Sequence, residues 1–382
     1  MSAAASTIRP DIDPGGLAEF SVVFTDRSLN HMSAAFQGVM RDINSMLCEV
    51  YGAARAVVVP GGGSYGMEAV ARQFATGKKA LVVRNGYFSY RWTQIFEAAD
   101  IPSEAVVLKA RPVGNEHPAP FAPQPIEDVV KRIHEERPEI VFAPHVETSA
   151  GVMLPDDYIT QLAQAAHDVD ALMALDCVAS GCMWVDMEKT GVDVLISAPQ
   201  KGWSASPSAG LVMLSQRALD VMESSASTSF VVDLKKWNAI MQAYLDGGHA
   251  YHSTMPTDAL RGFRDAMLET QAMGFDVIKE RQQELGTKVR ALLAGKGFRS
   301  VAARGFEAPG VVVSYTDDPA MQNGSRFSAQ GMQIAAGVPL MCDEPEDFRT
   351  FRLGLFGLDK LKDVDGTVAR LETVLEKVVE AA

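Results

Sequence analysis

The sequence lacks several features that mark common classes of protein. It has only four cysteines, Cys48, Cys177, Cys182 and Cys342, and they form neither a CxxC pair nor a zinc-ligand spacing. No apolar run is long enough to span a bilayer. The first residues lack the basic-then-apolar pattern of an export signal. We therefore expect no disulfide framework, no bound metal and no membrane anchor, and a cytoplasmic location.

Positive charge is also scarce. The chain has 35 Lys and Arg against 48 Asp and Glu, which gives a net charge of −13. This balance argues against a surface for nucleic acid or anionic membranes. What the chain does have is length and apolar content: 382 residues, 47% of them hydrophobic, are enough for a large core and two domains.

Short apolar runs alternate with helical patterns through the first half of the chain. Strands are predicted at 56–59, 80–83, 105–108, 140–142 and 172–175, with helices at 41–51, 67–76, 126–137 and 156–167. Such alternation is typical of an α/β fold, in which helices sandwich a mostly parallel sheet. Ligand-binding groups in such sheets collect at the carboxyl ends of the strands.

The pattern changes after Gly248. One long amphipathic helical stretch is predicted at 258–296, followed by strands at 311–316 and 350–355 and a last helix at 364–380. This composition predicts a smaller C-terminal α+β domain. We therefore expect an N-terminal arm at 1–22, a large domain at 23–257, and a linker helix with the small domain at 258–382.

Lys201 lies between two apolar runs, 194–196 and 211–214, among small and polar residues. Taken alone, the stretch fits an exposed lysine on a surface loop. Asp176 ends a buried strand 25 residues earlier, and the interval fits one connection and one further strand. The spacing predicts that Asp176 and Lys201 lie at neighbouring strand ends, although an ordinary structural acid or helix cap remains an alternative for Asp176.

The run PGGGSYG follows the first strand and precedes a helix. Gly61, Gly63 and Gly66 match the GxGxxG pattern of dinucleotide sites. Such a site also needs an acid at the end of the next strand, but that strand ends in Arg84 and Asn85. An anion-binding turn is therefore favoured over a dinucleotide site, and a tight turn without a ligand is the remaining alternative.

Three further features carry possible chemistry. Residues 147–151, ETSAG, supply hydroxyl donors after a strand, and Phe88 is either a core ring or a flat platform for a ligand ring. Arg352 lies inside an apolar strand, where it requires a carboxylate ligand or a structural ion pair. Together with the glycine turn, Asp176 and Lys201, these groups form the set that pyridoxal phosphate needs.

The chain resembles the fold-type I, class V pyridoxal-phosphate aminotransferases, especially the alanine/serine/aspartate–glyoxylate group. The segments that carry the resemblance are HVETSAGVMLP, LDCVASG, SAPQKGWSASPSAGLVMLS, YHSTMP and FRLGLFG, and it runs from about residue 30 to the end. It implies transfer of an amino group from a small amino acid to a small 2-oxo acid, glyoxylate or pyruvate, by a ping-pong mechanism.

The resemblance also implies roles for residues around the cofactor ring. Lys201 matches the Schiff-base lysine, and Asp176 matches the partner of the pyridine nitrogen. Phe88 matches the stacking ring, where relatives often carry tryptophan, and Val178 matches the residue on the opposite face. Thr148 matches the contact to the phenolic oxygen.

The remaining implied roles concern the phosphate and the substrate. The phosphate contacts are implied for Gly62, Gly63, Ser64 and Gln200, and for Tyr251 and Thr254 reaching in from the partner subunit of a homodimer. Arg352 matches the arginine that binds the substrate carboxylate. The segment 13–32, DPGGLAEFSVVFTDRSLNHM, departs from the family pattern at the border of the substrate pocket, which leaves the amino donor open.

Other functions remain possible at this point. A cysteine desulfurase or C–S lyase of the same fold would use Cys342, ten residues before Arg352, but Asp343 and Glu344 would raise the pKa of that thiol. An NAD-dependent oxidoreductase would use the glycine turn and leaves Lys201 unexplained. A non-catalytic binding protein that has kept the fold is a further alternative.

Overall fold

The fold is built from short buried strands and longer amphipathic helices. It is known from a computed structural model that describes residues 11–18, 20–22, 27–115 and 117–380. Much of the predicted arm at 1–22, and residues 23–26 of the divergent segment, lie outside the described residues. The strands are β1 Arg55–Pro60, β2 Lys79–Arg84, β3 Glu104–Lys109, β4 Arg111–Pro112, β5 Phe121–Ala122, β6 Ile140–Pro144, β7 Val146–Glu147, β8 Val152–Met153, β9 Leu172–Asp176, β10 Val194–Ser197, β11 Ala209–Leu214, β12 Val311–Tyr315, β13 Ala335–Ala336 and β14 Thr350–Gly354.

The helices in the described ranges separate these strands. They are α1 Ala34–Tyr51, α2 Gly63–Phe74, α3 Tyr87–Ala99, α4 Ile126–Glu136, α5 Asp156–Asp168, α6 Met187–Thr190, α7 Gln216–Ser224, α8 Leu234–Leu245, α9 Thr257–Met273, α10 Phe275–Gly295, α11 Pro319–Gln322, α12 Ser325–Ser328, α13 Leu358–Lys362 and α14 Val364–Glu380. Between residues 11 and 380, wherever the chain is described, no helix has the length and apolar character needed to cross a membrane.

The central sheet has seven strands in the order β1-β11-β10-β9-β6-β2-β3. The strands from β10 to β3 are parallel, whereas β11 runs antiparallel to both β1 and β10. Helices α2, α3, α5 and α8 pack against these strands. The predicted mostly parallel α/β fold is therefore confirmed.

Complete burial explains why these strands read as continuous apolar runs. The residues from Ala80 to Val83 and from Val194 to Ile196 are at most 1% exposed. A strand covered on both faces has no solvent side, so polar and apolar residues do not alternate along it. The polar residues that follow such strands are therefore the ones available for a site.

A second, three-stranded sheet in the order β12-β14-β13 forms the small C-terminal unit, and α10 packs against it. The single helix predicted at 258–296 is two helices, because the chain breaks at Gly274, where φ is 89°. That backbone angle is readily adopted only by glycine and ends α9. The domain limits at 22/23 and 257/258 stay predictions.

Candidate active site

The carboxyl ends of β9 and β10 bring the predicted acid and lysine to one edge of the sheet. Asp176 is the last residue of β9 and pairs in register with Ile196 of β10, five residues before Lys201. The antiparallel return of the chain into β11 makes the connection that carries Lys201 short. Both side chains line a cavity of about 390 Å³.

The cavity lies between the seven-stranded sheet with its helices, here called the large unit, and the small C-terminal unit. The large unit contributes Gly63, Ser64, Met67, Phe88, Arg91, Val146, Thr148, Asp176, Val178, Ala179, Gln200 and Lys201, and the small unit contributes Val311, Ala335, Arg352, Gly354 and Phe356. Nine of the twelve predicted site residues are in this set. Of the other three, Gly62 immediately precedes the lining residue Gly63 and caps α2, whereas Tyr251 and Thr254 lie elsewhere.

Lys201 is partly buried and makes no salt bridge within the described residues. Burial and the nearby charge of Arg352 lower the pKa of its ammonium group. Its Nζ lies 5.2 Å from the centroid of the Phe356 ring. A lysine with a lowered pKa is more often neutral and so more nucleophilic, which is the property that imine chemistry requires.

Asp176 is buried and lines the cavity, and it makes no salt bridge in the part of the chain that the structure describes. Its Oδ1 accepts a hydrogen bond from the Val178 amide at 2.9 Å. Burial raises the pKa of the Asp176 carboxyl to about 6, against the smaller lowering effect of that amide. A ligand cation placed beside this carboxylate would relieve the cost of burying it.

The glycine turn forms the amino end of α2. Gly62 is the N-cap residue, and a Cβ at Gly63 would lie 2.7 Å from a methyl group of Val178. A Cβ at Gly210 of β11 would likewise lie 2.6 Å from the amide nitrogen of Gly66. The turn therefore needs glycine for close packing, and the free N–H groups at a helix start favour an anion.

Glu147 fixes the platform that carries Phe88. Its buried carboxylate accepts hydrogen bonds from the amides of Phe88 (3.2 Å) and Ser89 (2.9 Å) and from the Ser89 hydroxyl (2.7 Å) at the start of α3. It also accepts hydrogen bonds from the amide (3.1 Å) and hydroxyl (2.7 Å) of Ser149. One side chain thus joins the start of α3 to the loop that contains Thr148.

Arg352 projects from β14 toward the large unit. Its Nε donates to the Ala336 carbonyl at 2.7 Å, and its Cζ lies 5.5 Å from the centroid of the Phe88 ring. No salt bridge to Arg352 exists among the described residues, which disfavours the structural ion pair considered above. A guanidinium group in this position is free to bind a carboxylate.

Tyr251 and Thr254 do not line the cavity. The Tyr251 hydroxyl lies 3.3 Å from the Thr254 hydroxyl, and both residues border a separate small cavity with His31 and Trp237. Tyr251 is 57% exposed. Contact with a cofactor in the main cavity would therefore have to come from another copy of the chain.

Two glycines hold the connections after β9 and β10 in direct contact. A Cβ at Gly202, next to Lys201, would lie 2.0 Å from the carbonyl oxygen of Gly181. The Cys182 thiol also donates to the Gly202 carbonyl, with the sulfur 3.4 Å from the oxygen. The loop after Asp176 and the loop of Lys201 thus touch through their backbones.

The structure gives little support to a nucleophilic Cys342. The residue does not line the cavity, and its thiol points to the Arg84 carbonyl at 3.4 Å. Burial, reinforced by the charges of Glu147 and Glu344, raises the pKa of the thiol to about 12. A dinucleotide site is equally unsupported, because β2 ends in Arg84, which donates to the Thr93 hydroxyl at 2.8 Å.

Three residues contribute to the site in ways that the sequence did not predict. Arg91 and Phe356 line the cavity, and Glu147 organises its wall. Arg91 follows Phe88 by three residues, so helical spacing alone could have placed it on the same face. Phe356 follows Arg352 within the segment FRLGLFG, whereas the bonds of Glu147 depend on a contact 58 residues away and left no local signal.

Comparison with known proteins identifies the family of the chain. The family model for class-V aminotransferases matches residues 19–314. The chain is 24% identical over 353 residues to a protein named soluble hydrogenase, small subunit, from Synechococcus sp.. That alignment covers 92% of this chain and 88% of that protein. It is 25% identical over 272 residues to the L-aspartate–glyoxylate aminotransferase of Paracoccus denitrificans, covering 71% of this chain and 64% of that protein.

A solved structure supports the same fold. The alanine–glyoxylate aminotransferase from Nostoc sp. superposes with a TM-score of 0.76 at 22% identity, over 91% of this chain and 89% of that one. The family match extends over most of the chain and includes every cavity residue contributed by the large unit. The chain therefore belongs to the class-V aminotransferase family and is a pyridoxal-phosphate-dependent transaminase.

Proposed function

We propose that pyridoxal phosphate occupies the cavity between the two units and is held covalently through Lys201. Two observations support the fit. Asp176 is a buried carboxylate without a salt bridge, and Lys201 is a partly buried ammonium without an anion, both within the described chain. Each of these groups lacks what the cofactor would supply.

The side chains around the ring have separate parts in this proposal. Asp176 holds the protonated pyridine nitrogen, Phe88 and Val178 enclose the two faces of the ring, and Thr148 contacts the phenolic oxygen. The phosphate is held by Gly62, Gly63, Ser64 and Gln200. The contact between Gly63 and Val178 supports this arrangement, because it brings the anion turn directly beside the ring site.

The bound cofactor supplies the electron sink that weakens the Cα–H bond of the substrate. Once the amine of the substrate has displaced it, the free Lys201 Nζ would take the proton from Cα as a general base and return the same proton to the cofactor side as a general acid. Arg352 orients the substrate by its carboxylate. The cofactor, Lys201 and Arg352 act first on the amino donor and then on the oxo acid. The two half-reactions therefore follow each other in a ping-pong order.

The small unit restricts the class of substrate. Its wall consists of Val311, Ala335, Gly354 and Phe356, with Arg352 as its single cation among the described residues. A substrate with one carboxylate and a small neutral side chain fits this wall, whereas a second carboxylate would lack a charged partner there. This observation carries the proposal that glyoxylate or pyruvate is the oxo acid, and the named Paracoccus relative supports glyoxylate.

The test is a matrix of amino donors against glyoxylate, pyruvate and 2-oxoglutarate. We expect alanine or serine to react with the first two acids, with 2-oxoglutarate at least about tenfold poorer in kcat/KM, because the wall of the small unit offers its second carboxylate no cation besides Arg352. The absorbance of the cofactor follows each half-reaction separately. A preference for 2-oxoglutarate would contradict the substrate class.

Lys201→Ala is the matched test of the covalent assignment. The variant should lose turnover while still binding some cofactor, and borohydride treatment should no longer fix the cofactor to the chain. Substantial transamination by Lys201→Ala would refute the role of this lysine. Cys342→Ser serves as the control, because it should retain activity if no cysteine chemistry takes place.

We also propose a cytoplasmic homodimer in which Tyr251 and Thr254 of each chain complete the partner's phosphate site. Their exposure outside the cavity supports a role for them at a subunit interface. All four cysteines are free thiols, which suits a reducing compartment.

A further inference from the structure

The cavity contains one cation that the proposed function leaves without a partner. Its positively charged lining residues are Arg91, Lys201 and Arg352, and its single carboxylate is Asp176. If Lys201 carries the cofactor and Arg352 binds the substrate, Arg91 is the cation that remains. The inference below rests on that proposed function and extends it.

Arg91 lies on α3, about one turn after Phe88, and faces the start of α2. Its Nη1 donates to the Ser64 hydroxyl at 2.9 Å, and its Cζ lies 5.3 Å from the centroid of the Phe88 ring. It makes no salt bridge within the described residues. The guanidinium group therefore sits between the platform ring and the anion turn, with donors to spare.

The anion turn by itself does not balance a phosphate. A helix start contributes only about half an elementary charge, whereas a phosphate monoester carries about −1.5 to −2 near neutral pH. Gly62, Gly63, Ser64 and Gln200 add no formal charge. A planar guanidinium group with several N–H donors suits phosphate oxygens well.

We propose that Arg91 is a cofactor-binding residue that donates to the phosphate of pyridoxal phosphate and shares that anion with Ser64. Arg91 thus selects the phosphorylated form of the cofactor.

The test compares two forms of the cofactor that differ only in the phosphate. The full-length enzyme is stripped of cofactor and titrated with pyridoxal phosphate or with pyridoxal, and the absorbance and fluorescence of the bound aldehyde give each Kd. In Arg91→Met, the Kd for pyridoxal phosphate should rise about 10- to 100-fold, as expected for loss of a charged hydrogen bond. The Kd for pyridoxal should change less than about twofold, because pyridoxal has no phosphate for Arg91 to bind.

Arg91→Lys and Arg132→Met are the matched controls. Arg91→Lys keeps the charge but loses the fork and should fall between wild type and Arg91→Met. Arg132 lies on α4 away from the cavity, so its replacement should leave both Kd values unchanged. Thermal unfolding of each stripped variant shows whether the chain remains folded.

Two outcomes would overturn the inference. An unchanged Kd for pyridoxal phosphate would mean that Arg91 does not bind the phosphate. An equal loss for both forms would mean that Arg91 acts only by supporting Phe88. Neither outcome touches the covalent assignment, since borohydride fixation and its loss in Lys201→Ala are measured independently.

Discussion

At the scale of single residues, the site is made of charged groups that lack counter-charges in the protein itself. Lys201, Arg352 and Asp176 all line the cavity, yet none of them makes a salt bridge within the described residues. An isolated buried charge destabilises a fold unless an opposite charge pairs with it or a shifted pKa neutralises it. Here cofactor and substrate would supply the partners.

The titration of Asp176 gives a prediction about stability. The pKa of this carboxyl is about 6 in the folded chain without cofactor and about 3.9 in an unfolded chain. Between these values the folded state holds a proton that the unfolded state has released. The free energy of unfolding should therefore fall as the pH rises through this range, by about 2 kcal/mol between pH 4 and 6 from this group alone.

Urea unfolding of the cofactor-free protein at pH 4, 5, 6 and 7 measures this effect against Asp176→Asn. The asparagine variant should gain about 2 kcal/mol relative to wild type between pH 4 and 6 and show little further relative change above pH 7. A difference between the two proteins that does not depend on pH would show that Asp176 is not buried as described.

At the scale of elements, Glu147 joins the start of α3 to the loop after β7. Replacing it with glutamine removes a charge and one acceptor oxygen and brings an NH2 group toward amides that already donate. We expect Glu147→Gln to destabilise the protein by about 1.5–3 kcal/mol, the range for hydrogen bonds to a charged group. Chemical unfolding measures the loss, and hydrogen exchange should report faster opening at Phe88 and Ser89.

Glu97→Gln is the control for this prediction, because Glu97 lies exposed on the same helix. Its replacement should change the free energy of unfolding by less than about 0.5 kcal/mol. If the two variants were equally stable, the carboxylate of Glu147 would not be what holds the start of α3.

Elements determined by neighbouring residues could be predicted from the sequence, whereas features that depend on contacts between distant residues could not. The buried strands and the positions of Asp176 and Lys201 at neighbouring strand ends follow from apolar runs and chain spacing. The break at Gly274 had a local signal, a lone glycine, but a helix tolerates such a residue unless tertiary packing demands its unusual φ. Three of the five hydrogen bonds of Glu147 come from the distant helix α3, and no pattern near residue 147 predicts them.

At the scale of the whole molecule, several large apolar side chains are exposed in the single chain. Phe20 is 94% exposed, Phe230 74% and Tyr251 57%, and the His252 ring lies 4.8 Å from the Phe230 ring. Large apolar side chains in water favour association. This supports the proposed dimer, in which the segment of Tyr251 faces a second chain.

Mixed dimers test whether active sites are shared. Lys201→Ala removes the lysine of its own site, whereas Tyr251→Ala impairs the partner's site. Neither variant alone should be fully active, but co-expression should restore up to about a quarter of wild-type activity, because half of the dimers are mixed and each has one intact site. Co-expression of Lys201→Ala with Phe88→Ala, both within one site, gives the contrasting control.

The activity of the mixed dimers shows whether Tyr251 acts in the partner's site. Purification through two different tags isolates the mixed dimers, in which amino transfer should reach up to about half of the wild-type value because one of the two sites is intact. Activity that never exceeds the sum of the separate variants would place Tyr251 outside the partner's site.

The contact between Gly181 and Gly202 has a consequence for how such a protein can diverge. Because the two loops touch through their backbones, the spacing between acid and lysine is set by main-chain atoms and not by the side chains around them. Neighbouring positions can then change size or polarity without shifting the reacting groups. A protein built this way can acquire new substrates by altering its cavity wall while its chemical centre stays in register.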